Sequence, residues 1–525
     1  MLLAWLTLQW GIVPRVAQWK PQIEARASAA LGVPVTIGAI RVQSSGWLPL
    51  IELDHVVLAP RRTALDSGPA LVLPKVHATL SARSLLGLEW RFEQLHVDGA
   101  ELEVRRDARG RVFVAGIEVP AAADSLVQDD NVTDWVLAQR EIAIRNGRVR
   151  WIDELHPDAP PVELTALDLV LRNGLARHQI RLDATPPSGT GARFTLQGDF
   201  MQPFLAQRSN WRRWSGTLYA ELPHTDAAAL RRALPQLGTL PFELQSGEGA
   251  LRAWIDVRDG HARGALADVA LRDVELLFAG HEQVLPLQQL SGRVSAQRDG
   301  ARLRIGAERL AFRSGDTDWP ASRWALVLHD APVGVAQPTH PPSGMPVFDG
   351  GEFSADRLDI AALARLAAQL PLGQAVAHAL TELSPRGQVQ ELVARWEGPI
   401  DALRRYQLKA RADGLAIAAA PAASAPQALG RPGFQNATLD IDASESGGRA
   451  RLALDKGTLS FPGLFDRPDI ALDRFETRLT WRITPAVGEA PSAIEFNLAD
   501  TRFANADVQG ELTKARHEPC ASAPS

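Results

Sequence analysis

The sequence contains almost no cysteine. Cys520 is the only one among 525 residues, so the chain cannot close an intrachain disulfide and offers no cysteine-based metal cage. The twelve histidines occur singly, and no two lie four residues apart on one helical face. We therefore expect no metal site and no cofactor, and we interpret histidines such as His55, His77, His96 and His178 as surface or loop residues.

Catalytic motifs are also absent. The sequence has no HExxH, no Walker A loop and no GxSxG. The adjacent acids Asp129-Asp130 and Asp153-Glu154 point to opposite faces if they lie on strands, so we interpret them as solvated turn acids. Trp211-Arg212-Arg213-Trp214 could bind a phosphate group, but an exposed loop with cation–π packing is the preferred interpretation. The sequence predicts no catalytic residue and a protein that is not an enzyme.

The chain has no excess of basic residues. Its net charge of −5 gives no electrostatic footprint for nucleic acid. With 22% charged and 46% hydrophobic residues, the composition is that of a folded chain.

The first 13 residues carry no charged side chain. As a helix they would reach about 20 Å, whereas the hydrocarbon core of a bilayer is about 30 Å thick. They lack the basic region and the cleavage site of a signal peptide. One interpretation is a buried or interfacial helix. The other, which we adopt for residues 1–19, is the end of a transmembrane anchor, with its boundary at Trp5, Trp10, Arg15 and Trp19.

Residues 20–32 predict an amphipathic plug helix. Ile23, Ala27 and Leu31 recur every four residues on one stripe. Gly32 is placed as a helix cap, and Pro34 prevents continuation.

From residue 33 onward the dominant hydrophobic period is two. This alternation predicts a mainly β fold: a long, curved, antiparallel sheet of about 25 strands. Helical insertions are expected near 225–234 and 359–383. The sheet would occupy 33–417 and 434–513, with a linker-like loop at 418–433 and a disordered tail at 514–525.

An alternating sheet has one apolar and one polar face. The apolar face either packs into a filled sandwich or lines an open groove for lipid chains, and alternation does not separate these alternatives. The register between segments is not readable from the sequence. The candidate apolar face comprises Leu102, Val104, Ile142, Ile144, Leu251, Ile255, Leu303, Ile305, Leu439, Ile441, Leu452 and Leu454.

Several segments resemble one protein family. They are residues 20–38, 92–116, 383–399, Arg431–Asn436 (RPGFQN), and Leu459–Phe465 (LSFPGLF) followed by Thr480-Trp481. These segments are similar to the N-terminal part of the YhdP-type group of AsmA-like proteins.

This resemblance implies a bacterial inner-membrane protein with a single N-terminal anchor and its bulk in the periplasm. It also implies an open apolar β-groove that moves phospholipids between membranes, without catalytic residues. Phospholipids, the inner membrane and other envelope proteins are the expected partners, and nucleic acid is not. The alternative is an envelope assembly or scaffold protein that affects outer-membrane composition without carrying lipid.

Overall fold

A computed structural model describes most of the chain. The described residues are 20–31, 33–44, 49–58, 71–80, 92–119, 131–156, 160–204, 206, 210–233, 242–278, 283–331, 348–370, 372, 374–400, 402–421, 430–465, 467–484 and 493–517. The predicted membrane boundary at Trp5, Trp10, Arg15 and Trp19 lies outside them, as do Asp129-Asp130, residues 422–429 of the linker-like loop and residues 518–525 of the tail. Residues 514–517, which we expected to begin the disordered tail, instead end the last strand, Gln509–His517. Among the described residues, no helix is both long enough and apolar enough to cross a membrane.

Strands dominate the described chain. They are β1 Val35–Ser44, β2 Pro49–Leu58, β3 Leu71–Leu80, β4 Phe92–Asp98, β5 Glu101–Arg106, β6 Val112–Val114, β7 Ile117–Val119, β8 Glu141–Asp153, β9 Val162–Asn173, β10 Arg177–Thr185, β11 Phe194–Met201, β12 Ser215–Asp226, β13 Phe242–Arg258, β14 His261–Phe278, β15 Leu285–Asp299, β16 Arg302–Ser314, β17 Thr317–Asp330, β18 Phe348–Asp359, β19 Arg386–Glu397, β20 Arg405–Ile417, β21 Gly433–Ser444, β22 Gly447–Ser460, β23 Asp469–Thr484, β24 Ala493–Ala504 and β25 Gln509–His517.

The helices are few and short. They are α1 Lys20–Leu31, α2 Asn131–Ala138, α3 Ala227–Ala233, α4 Ile360–Leu366 and α5 Gln374–Leu383, with a 3₁₀ turn at Trp211–Arg213. Asp226 and Asp359 each accept backbone N–H groups at the starts of α3 and α4. The mainly β class with a few short helices is thereby confirmed.

The 25 strands belong to one hydrogen-bonded sheet, and most pair with their sequence neighbours as an antiparallel meander. A purely antiparallel sheet is nevertheless wrong, because β8 pairs in parallel with both β4 and β5. The crossover from β5 to β8 includes the β6–β7 hairpin and α2, which gives the chain enough length to return in the same direction. Gly99, at φ +70°, separates β4 from β5, and Asn146, at φ 50°, forms a matching bulge in β8.

Helix α1 covers the free edge of β1. Glu24 accepts the Ile37 N–H at 2.7 Å, and Ser28 accepts the Val35 N–H at 2.8 Å. The Lys20 ammonium donates to the Gly38 carbonyl at 3.1 Å. These side chains satisfy backbone groups that an edge strand would otherwise leave open for pairing with another chain.

The chain divides into two compact units. The first comprises residues 1–235 and 248–267, and the second comprises 236–247 and 268–525. In the first unit, Ile23, Ala27 and Leu31 of α1 pack on a core that includes Val35 and Val76. In the second unit, α4 packs Ala362 and Leu366 against strand residues such as Val274 and Trp319.

Candidate apolar faces of the sheet

The first unit carries two uninterrupted apolar rows across ten strands. Cα partners in neighbouring strands point to the same face, so the register identifies which side chains share it. The first row is Val42, Ile51, Ala78, Leu95, Ile142, Leu171, Ile180, Gly198, Leu218 and Ile255. The second row is Ile40, Leu53, Val76, Val97, Ile144, Leu169, Leu182, Leu196, Ala220 and Ala253. No member of either row is polar.

The second unit carries a comparable row across ten strands. It consists of Ala296, Ile305, Leu326, Phe353, Ala394, Leu408, Ala443, Gly448, Trp481 and Phe496. Beside it, Leu303 pairs with Leu328 on the same face.

The residues predicted from the sequence fall on these two faces. Six lie in the first unit: Ile142, Ile144, Leu251 and Ile255 on or beside the rows, and Leu102 and Val104 paired with Val149 and Trp151 of β8. The other six lie on one face of the second unit: Leu303, Ile305, Leu439, Ile441, Leu452 and Leu454. Leu454 differs from the rest because it is only 1% exposed, in a cluster with Ala437 and Leu415. It therefore serves as core.

Most of the row side chains are only partly buried. Ile180 and Phe496 are 36% and 37% exposed, and most of the others are intermediate. A side chain sealed between two layers of a sandwich would be almost inaccessible to solvent. Such partial exposure is what side chains on an open face of a single sheet show. Val76 and Val97 differ, because they are buried in the core on which α1 packs.

The opposite face is polar in both units. Arg172 pairs with Glu141 at 2.9 Å and Arg181 with Asp183 at 2.8 Å in the first unit, and Arg395 pairs with Glu352 at 3.1 Å in the second. Hydrogen bonds from Arg172 and Arg181 hold the pKa values of Glu141 and Asp183 below their ordinary values. This face is therefore ionised and hydrated at neutral pH, in contrast to the apolar rows.

Two tryptophans of the second unit lie over glycines of the neighbouring strand. Gly351 pairs with Trp396, and Gly448 pairs with Trp481. A Cβ atom at Gly351 would be 2.6 Å from Trp396 Cζ2, and one at Gly448 would be 2.5 Å from Trp481 Cζ2. Each indole ring thus occupies the space where the glycine's side chain would begin, and lies low on the sheet.

Asp153 is not a solvated acid. Its side chain is 4% exposed and pairs with Arg106, whose side chain is 12% exposed. Asp153 Oδ1 accepts from Arg106 Nε at 2.8 Å, and this bonding keeps the pKa of Asp153 below its ordinary value. The solvated-acid interpretation failed because Arg106 lies 47 residues away in sequence, on β5, and only the parallel β5–β8 pairing brings it close.

His178 is not a surface residue either. It is 1% exposed, and its ring stacks on Trp214 with centroids 3.9 Å apart. Its Nδ1 lies 2.8 Å from Asn173 Oδ1 and its Nε2 lies 3.2 Å from Gln202 Oε1. Trp214 is therefore buried against an imidazole, which corrects the expectation of an exposed Trp-Arg-Arg-Trp loop at this residue.

The described part of the chain has few clusters of side chains that could form a functional site. It contains no group of three or more His, Cys, Asp or Glu side chains that could hold a metal ion. Asp153 pairs with Arg106 and Glu154 pairs with Arg105, so each of these two acids has a cationic partner.

The fold defines a mainly β protein, and each of its two units has apolar rows on one face of its strands and ion pairs on the opposite face. The model of the YhdP protein family matches residues 1–519. The chain belongs to the YhdP family, as its segments predicted. No curated protein matches the sequence.

Proposed function

We propose that this protein carries phospholipids across the bacterial envelope by sheltering their acyl chains on the apolar faces of its sheet. The observation that carries the proposal is the pair of ten-strand rows in the first unit, in which every side chain is apolar and most remain partly exposed. Membership of the YhdP family and the large sheet are compatible with lipid transport.

The energetics favour such a surface for a lipid. A phospholipid with about 30 methylenes exposes on the order of 20 kcal/mol of apolar surface in water, at about 0.8 kcal/mol per methylene. Continuous apolar cover removes that penalty along a path, and a sheet supplies the cover with its backbone groups already hydrogen-bonded. A row without a polar member presents no desolvation barrier to a sliding chain.

The proposed setting is the inner membrane, with residues 1–19 as the end of a single anchor and the sheet in the periplasm. Phospholipids and the inner membrane are the proposed partners, together with other proteins of the envelope. The proposed role is non-catalytic, because lipid transfer requires a surface and no bond is broken.

Photocrosslinking in cells tests the proposal on the full chain. A benzophenone amino acid is placed at Ile255 in one variant and at Leu408 in another, since both lie on apolar rows. Its controls are the adjacent positions Asp256 and Gln407, which are exposed and point to the polar face. We expect mass spectrometry to find phospholipid adducts at Ile255 and Leu408 and none at the two controls.

The scaffold alternative gives a different result. If the protein affects envelope composition without carrying lipid, none of the four positions captures phospholipid although the protein is abundant and folded. Adducts of equal yield at Asp256 and Ile255 would indicate non-specific proximity to lipid and would also overturn the proposal.

A further inference from the structure

One end of the first unit presents two short connections side by side. The turn between β9 and β10 spans residues 174–176, and the connection between β11 and β12 spans residues 202–214. The Gln202 N–H donates to the Ala176 carbonyl at 2.7 Å, which joins the two connections at their bases.

Each connection exposes a large apolar side chain almost completely. Leu175 is 90% exposed and Phe204 is 91% exposed. Met201 and Trp211 flank them at 53% and 44%. Large apolar residues exposed to this degree, on two connections that are joined at their bases, are unusual on a soluble surface, and they indicate an interaction site.

The base beneath these residues is buried and well bonded. His178 lies between Asn173, which precedes the first connection, and Gln202, which begins the second. Asn173 also donates to the Gln139 carbonyl at 2.9 Å, and Trp214 stacks on the His178 ring. A buried polar network of this kind fixes the positions of the two connections, so the exposed side chains are presented from a firm base.

The charge of this end matches an anionic partner. The sequence from 202 to 214 contains three arginines and no aspartate or glutamate, and the Arg213 side chain is exposed. The nearest acid on β11, Asp199, is paired with Arg177. Exposed Leu, Phe and Trp side chains beside an exposed arginine are typical of segments that lie in a membrane interface.

The position of α1 is consistent with a membrane as the partner. Glu24 bonds to Ile37 and Ser28 to Val35, so α1 runs antiparallel to β1. The start of α1 therefore points towards the C-terminal end of β1. The strand register places that end of β1 on the same side of the first unit as Asn173 and His178. Residues 1–13, which carry no charged side chain, precede α1 in sequence.

We propose that Leu175 and Phe204 insert into the interfacial region of an anionic phospholipid bilayer, with Arg213 contacting lipid phosphates. Docking would hold this end of the first unit against a membrane surface, where a lipid could pass to the sheet. A protein partner is less well matched, because two separated, nearly fully exposed side chains on loop tips offer little flat area for a protein interface.

Fluorescence of the full chain reconstituted in vesicles tests the docking. Cys520→Ser removes the only cysteine, and Leu175→Cys or Phe204→Cys then carries an environment-sensitive dye. Leu155→Cys is the matched control, since Leu155 is 43% exposed in the β8–β9 turn at the opposite end of the strands. The vesicles contain phosphatidylglycerol and phosphatidylethanolamine, with phosphatidylcholine vesicles for comparison.

We expect dyes at 175 and 204 to shift to shorter wavelength and to be quenched by bromine-labelled acyl chains, more strongly with phosphatidylglycerol. The dye at 155 should keep the emission it shows in water. Aqueous emission at 175 and 204 in reconstituted protein, or an equal shift at 155, would overturn the proposal. Crosslinking at Ile255 reports on lipid carriage separately. A failure of the docking proposal can therefore be distinguished from a failure of the lipid-carriage proposal.

Discussion

Gly448 lies beneath the indole ring of Trp481, and a Cβ atom at Gly448 would be 2.5 Å from Cζ2 of that ring. Gly448→Ala should therefore lift the ring from the sheet. We expect a loss of about 1–3 kcal/mol of unfolding free energy, the usual range for overpacking a fitted site. Thermal or chemical unfolding of the purified protein measures this loss.

A double-mutant cycle isolates the part of this stability loss that comes from contact with the indole ring. The new methyl group would also approach the Asp442 carbonyl at 2.6 Å, so Trp481→Leu should restore part of the stability and leave the rest. Gly306→Ala is the control, because the nearest atom there is the Ser295 hydroxyl, which can rotate away. Strict additivity of Gly448→Ala and Trp481→Leu would contradict the contact.

Asp153→Ala should destabilise the first unit strongly. The change leaves the Arg106 guanidinium, which is 12% exposed, without its carboxylate partner. Breaking a buried ion pair in this way costs about 3–5 kcal/mol. Asp54→Ala is the matched control, since Asp54 pairs with Arg41 at an exposed site, where such pairs contribute about 0–1 kcal/mol. Equal losses for the two variants would contradict the burial of the pair.

The Asp153 contribution should depend on pH. Hydrogen bonding from Arg106 lowers the pKa of Asp153 in the folded state. The unfolded chain therefore binds the proton more readily, and the contribution is fully present above about pH 4, the pKa of an ordinary aspartate. The difference in unfolding free energy between wild type and Asp153→Asn should shrink as the pH falls below that value. A constant difference down to pH 2 would contradict this linkage.

Removing the cover of the β1 edge should expose its backbone. Glu24→Ala together with Ser28→Ala deprives the Ile37 and Val35 N–H groups of their acceptors. We expect these two amides to exchange with solvent about fivefold faster, because each lost bond contributes about 1 kcal/mol. Gln22→Ala, on the exposed side of α1, should leave both rates unchanged. Unchanged exchange in the double variant would show that α1 does not protect the edge.

The sequence predicted the strands better than their arrangement. Alternation in segments such as Ile142–Ile144 and Leu251–Ile255 identifies an apolar side locally, because successive side chains point to opposite faces. The alignment of Ile142 with Ile255 depends on five successive registers. Those are properties of pairing between strands, which no single segment encodes.

Long-range partners explain the errors. The sequence indicates an isolated surface histidine at His178 because Gln202 and Trp214 lie 24 and 36 residues later, in the connection between β11 and β12. The parallel pairing of β5 with β8 was missed for a similar reason, since turn residues favour hairpins and the crossover has no local signature. Placing these residues required the tertiary fold.

Ile305→Asp distinguishes an open apolar face from a packed core. Ile305 pairs with Ala296 and Leu326 on the long row of the second unit and is partly exposed. On an open face the carboxylate can keep part of its hydration, so we expect the melting temperature to fall by only a few degrees. Phospholipid crosslinking at Leu408, on the same row, should fall sharply because a charge interrupts the apolar path.

Arg304→Asp is the matched control, since Arg304 is the neighbouring exposed residue on the polar face. It should leave crosslinking at Leu408 unchanged. If Ile305→Asp instead unfolds the second unit while Arg304→Asp does not, Ile305 belongs to a sealed core, because burying an unpaired charge there costs several kcal/mol. If Ile305→Asp stays folded and crosslinking is undiminished, acyl chains do not travel along this row.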